Sequence, residues 1–206
     1  MTSASYRYRM PLPVPAGRDS HDDRLRGLAL VAGMVTLMWA VEVVDLVAGD
    51  LDSAGIRPRD GDGLLGIVLA PFLHGGFGHL IGNTIPFLVL GFSIALSGLA
   101  RAAKVTAIVA LVSGLGTWIA APEGTVHIGA SGLVFGFATY LLARGIYSRR
   151  LVHLAVGLIV LVIYGTTLLF GFVPTPGVSW QAHLFGAIGG GVAAWALDRR
   201  RARVAA

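Results

Sequence analysis

The sequence predicts an all-α polytopic membrane protein: six transmembrane helices, with a membrane-associated loop between the first two. Three observations carry this. Of 206 residues, 55% are hydrophobic and 13% charged, against about 25% charged in a soluble domain. Mean hydropathy is +0.74, more apolar sequence than a soluble fold of this size can bury. And apolar stretches near the roughly 20 residues that a bilayer demands recur six times.

Residues 1–27 carry five arginines, three prolines and three aspartates without an apolar run. They read as a cytoplasmic tail, not a signal peptide. The spans are expected at roughly 28–48, 79–98, 103–121, 130–146, 151–173 and 180–197, inside a domain of residues 28–198. Residues 199–206 form a second, basic tail. Between the first two spans, GLLGIVLAPFL is apolar but too short to cross, so it is expected to lie in the outer leaflet or re-enter it. Glu42 and Asp45, i and i+3 near the outer end of the first span, mark the interface, position the outer loop or pair with Arg57.

Charge orients the bundle. The N-terminal tail, the connection at Arg101 and Lys104, the connection at Arg144, Arg149 and Arg150, and the C-terminal run at 199–203 together hold fourteen of the sixteen basic residues. Only Arg57 and Arg59 fall on the other side. The positive-inside rule therefore predicts cytoplasmic termini in a cell membrane. Bases that flank apolar spans are read as topology signals, so the net charge of +5 does not point to nucleic acid. Without cysteine, disulfides and thiol catalysis are both excluded. No internal repeat of the transporter kind is visible.

Polar residues within spans need a reason, and several fall at one depth. The fourth span opens IGASGLVFG. Ser131, between Ala130 and Gly132, lies where a helix's first N–H groups lack intrahelical partners and favour negative charge. A hydroxyl there can attack a carbonyl while N–H groups hold the oxyanion. Equally, it can simply cap the helix. The sixth span opens SWQAHLFGAIGGG. Gly186 and Gly190 share the helical face of His183. Packed on Gly132 and Gly136, that face would bring the imidazole towards Ser131 as a general base. A histidine bonded within the bundle is the plainer alternative. The second span opens HGGFGHLIGN, with His79 and Asn83 on one face. Both can donate to an oxyanion, or join helices. His74 is expected to order the loop ahead of them. His127, close to Ser131 in sequence, serves the rim or a substrate contact, or lies in an exposed loop. Pro174 and Pro176 stiffen the turn before the sixth span.

HGGFGHLIGN, GASG with Gly129 ahead of the serine, and a glycine-flanked His183 occur in the order and spacing of the rhomboid proteases, which the whole six-span pattern resembles. The resemblance implies an intramembrane serine endopeptidase. Ser131 matches the nucleophile and His183 the base, without an acidic third member. His79 and Asn83 match the oxyanion donors. Phe135 stands where many relatives carry a tyrosine against the catalytic imidazole. Stacking on Phe135 can orient His183 without burying another charge. The implied partners are transmembrane protein substrates and lipids, with no cofactor and no metal. Three rivals remain: a transporter, which lacks repeats and charged residues at mid-membrane depth, a non-catalytic relative that binds membrane helices, and a metalloprotease using His74, His79, His127 and His183. The last lacks an HExxH helix.

Overall fold

The structure, a computed structural model, describes residues 18–204. Seven α-helices occur among them: α1 (Arg18–Ala48), α2 (Gly66–Leu69), α3 (Phe77–Ala95), α4 (Leu99–Ala120), α5 (Ser131–Ser148), α6 (Leu151–Phe170) and α7 (Trp180–Val204). Six are long. The expected tails fall partly outside the described residues. Within them, α1 already begins at Arg18, about ten residues before the expected span, and α7 runs on to Val204.

Four helices, α1, α3, α4 and α6, are long and apolar enough to cross a membrane by length and composition. The expected six is thus larger than the number that length and hydropathy support. The difference has a physical cause. α5 is clad by α3, α4, α6 and α7, and eleven of its eighteen residues are buried. A helix that meets protein instead of lipid can carry Gly, Ser, Thr and Arg, so its hydropathy falls. α7 packs closely on both α4 and α5 and carries glycines, Gln181 and His183. By contrast α6 buries only Gly157, Val160 and Leu168 and shows an aliphatic surface to the outside.

Glycines let the inner helices meet backbone to backbone. A Cβ at Gly186 would collide with the Gly132 carbonyl, and one at Gly190 with the Gly136 carbonyl. Alongside, the Thr139 hydroxyl donates to the Ala187 carbonyl at 2.9 Å. The Ser113 hydroxyl of α4 donates to Ala182 on α7, also at 2.9 Å.

The connection from α1 to α3 is built of single turns: Leu51–Ala54, Asp62–Leu64, α2, and Ala70–Phe72. Its apolar residues Ile56, Ile67 and Ala70 form a small core with Trp118. Ile56 pairs antiparallel with His127 in an isolated bridge. Arg57 does not reach Glu42 or Asp45. It pairs with Asp60 at 2.8 Å and lies 3.8 Å from Asp62. Asp45 instead accepts the Leu51 N–H at 2.7 Å, securing the turn after α1, while Glu42 is buried.

Candidate active site

α5 begins at Ser131, and its first helical bond into the preceding residue runs from Val134 N–H to the Ala130 carbonyl at 3.0 Å. The N–H groups of the opening turn therefore lie at a helix start that favours negative charge. Two contacts hold the approach. Gly129 donates to the Ala70 carbonyl at 2.8 Å, and Ala130 donates to His74 Nε2 at 3.4 Å. Gly129 has φ +109°, and any Cβ there would stand 2.7 Å from the His79 ring. Only glycine fits on both counts.

His74 is 1% exposed and lies edge-on to His79, centroids 5.1 Å apart. Burial, with His79 beside it, pushes its pKa down to about 4. It thus stays neutral and can accept the Ala130 N–H. His79 Nδ1 accepts the Gly75 N–H at 3.4 Å, which leaves the proton on Nε2. That nitrogen lies beside Gly129. Asn83 spends one amide hydrogen on the His79 carbonyl at 3.0 Å and keeps a second.

His183 is held on two sides. Its ring stacks on Phe135 with centroids 4.1 Å apart and planes within 3°. Its Nδ1 lies 2.7 Å from the Gly171 carbonyl. A carbonyl can only accept, so Nδ1 carries the proton and Nε2 keeps its lone pair. Phe135 is wedged in turn. Phe172 meets it edge-on at 5.5 Å, and a Cβ at Gly171 would strike its ring. Gly171 and Phe172 carry no motif in the sequence. A backbone acceptor has no side-chain signature, so reading residue types could not find it.

His79, Asn83, Ser131, Phe135 and His183 all line one open cavity of about 1260 Å³. The turn at 174–179 forms another wall. Among the described residues, no hydrogen bond joins the Ser131 hydroxyl to His183 or to any other protein group. No group of three His, Cys, Asp or Glu among them is placed to hold a metal ion. His127 is not an exposed loop residue. It is half-buried and bonded through both ring nitrogens.

A Rhomboid domain matches residues 62–200. Uncharacterized proteins of Mycobacterium tuberculosis and Mycobacterium bovis are 46% identical over 189 residues, covering 86% of this chain and 78% of theirs. A Bacillus subtilis protein provisionally named rhomboid protease YdcA is 29% identical over 119 residues, 57% of this chain and 59% of that one. With its helical bundle and apolar helices, the chain is a multi-pass membrane protein of the rhomboid family.

Proposed function

We propose that the protein is an intramembrane serine endopeptidase that cuts transmembrane or membrane-adjacent segments of other proteins. α5 and α7 cross the membrane as inner helices alongside the four apolar ones. Both termini are cytoplasmic, in the cell membrane. The observation that carries this reading is the His183 imidazole. It is locked by a ring stack and a backbone carbonyl, with one basic nitrogen left over, in the wall of the cavity that Ser131 also lines.

The chemistry follows from those roles. His183 Nε2 takes the Ser131 hydroxyl proton as the oxygen attacks the scissile carbonyl. The imidazolium keeps its Nδ1–H on Gly171, which does the orienting that a carboxylate does in a triad. Charge on the carbonyl oxygen is met by the Ser131 N–H, His79 Nε2–H and Asn83 Nδ2–H. The proton on Nε2 passes to the leaving amine. Water then enters from the cavity, gives a proton to the same nitrogen and attacks the acyl carbon; the bond to Ser131 Oγ breaks, and that oxygen takes the proton back from Nε2. His74, Gly129, Gly132, Gly186 and Gly190 hold the frame.

One observation favours a second reading. A non-catalytic relative that binds membrane helices would keep the cavity without a bond between serine and imidazole. In enzymes without substrate, catalytic hydrogen bonds are also often long and tighten only in the complex. Cleavage of a transmembrane substrate by purified protein in vesicles separates the two. Activity that Ser131→Ala removes supports the enzyme. Equal cleavage by Ser131→Ala and wild type, or none by either, rejects it.

A further inference from the structure

His127 stands four residues before Ser131, and Ser179 stands four residues before His183. Their side chains meet, Nδ1 to Oγ, at 2.7 Å. Neighbouring bonds fix the direction of this contact. The Thr125 hydroxyl donates to the Pro122 carbonyl at 2.6 Å. Its oxygen, 2.9 Å from His127 Nε2, can then only accept from that nitrogen. Nε2 therefore carries the ring proton, Nδ1 is an acceptor, and the Ser179 O–H donates to it. Burial lowers the His127 pKa, which keeps the ring in the neutral form that this chain of bonds requires.

Each end of the link is anchored. His127 exchanges both backbone bonds with Ile56 at 2.9 Å, tying it to the α1–α3 connection. The Ser179 oxygen accepts the Ala182 N–H at 3.4 Å, and its carbonyl accepts the His183 N–H at 3.2 Å. The first turn of α7 thus hangs from the residue that His127 grips. Thr125, His127 and Ser179 all border the cavity.

We propose that His127 is a positioning residue: through Ser179 it fixes the first turn of α7, and with it the His183 imidazole, relative to the start of α5 that bears Ser131. This rests on the Ser131–His183 reading. Reacting groups misplaced by about 1 Å lose on the order of 100-fold in rate. Loss of one tether among several is expected to cost less, and to act on kcat, not on substrate binding.

The test is a double-mutant cycle on the full chain in vesicles, well below each variant's Tm. It reads kcat and KM on a transmembrane substrate and the rate of fluorophosphonate labelling. His127→Ala and Ser179→Ala are each expected to lower kcat and labelling about tenfold, with KM within about twofold of wild type. The double variant should fall no further than the worse single, because both break one link. Ser179→Thr, which restores a hydroxyl, should recover most of the rate. If His127→Ala does not fold, the comparison of Ser179→Ala with Ser179→Thr carries the test. Variants with wild-type kcat, losses that multiply in the double, or no recovery with threonine overturn the role of His127. A wild type that neither cleaves nor labels overturns the dyad itself. A wild type that does both, beside unaffected variants, overturns only the link.

Discussion

At one end of the α5–α7 pair stand Ser131 and His183, facing an open cavity. At the other end, Asp198 of α7 is shut in at 2% exposure. There Arg101 Nη1 lies 2.9 Å from Asp198 Oδ2 and 3.1 Å from the Tyr140 hydroxyl. That hydroxyl also reaches Asp198, at 3.2 Å. Arg144 approaches the other carboxylate oxygen at 3.6 Å and donates to Ser97 at 2.9 Å. The closed end gathers two arginines on one carboxylate, with Arg144 Nε left without a hydrogen-bond partner, and ties α4, α5 and α7 together. The open end contains no ion pair among these groups. It orients an imidazole with a ring and a carbonyl, and leaves a hydroxyl and a basic nitrogen unspent. The same two helices are thus locked at the end that the proposed reaction does not use and left chemically free at the end that it does.

The contrast breaks most sharply at the open end. Ser131→Ala and His183→Ala should each lower cleavage by about 10⁶-fold while leaving the melting transition of purified protein near that of wild type. At the closed end the pattern should reverse. Asp198→Ala leaves two arginines facing each other without their carboxylate. It should destabilise the fold by about 3–5 kcal/mol, read by thermal unfolding, with kcat preserved at temperatures where the protein stays folded. Gly186→Val probes the seam between the ends. Its side chain would collide with Gly132, so stability should drop by about 1–3 kcal/mol and cleavage should fall with it. The smallest effect is expected from Phe135→Ala. A stacked pair contributes about 0.5–1.5 kcal/mol, so kcat should fall about twofold to tenfold, and Phe135→Tyr should keep the wild-type rate.

How much of this was legible in the sequence differs between the ends. Four of the six long helices are apolar enough to follow from length and hydropathy, while α5 and α7 fall short; the structure moves most of the expected bounds by only a few residues. α1 and α7 are the exceptions: the first turns of α1, from Arg18, and the last turns of α7, to Val204, are polar, and hydropathy alone stops short of them. Ser131, His79, Asn83 and His183 stood out because polar groups in apolar spans are rare. Gly171 did not, since its part is played by a carbonyl that every residue possesses. Nor did the closed end. Arg101 and Arg144 flank spans, and proximity to a span end cannot distinguish a solvated arginine from one that is buried and paired. Both are packed inside, against Asp198. The link from His127 was hidden for a third reason: its partner Ser179 lies 52 residues away, and Ser179 does not sit where a polar side chain would attract notice.

The most direct test of the central claim is mass-spectrometric location of a fluorophosphonate adduct on the protein in membranes. The account expects a single adduct on Ser131 in the wild type, and none in His183→Ala, because the hydroxyl then has no base. An adduct on another residue, or equal labelling of Ser131 with and without His183, would contradict it.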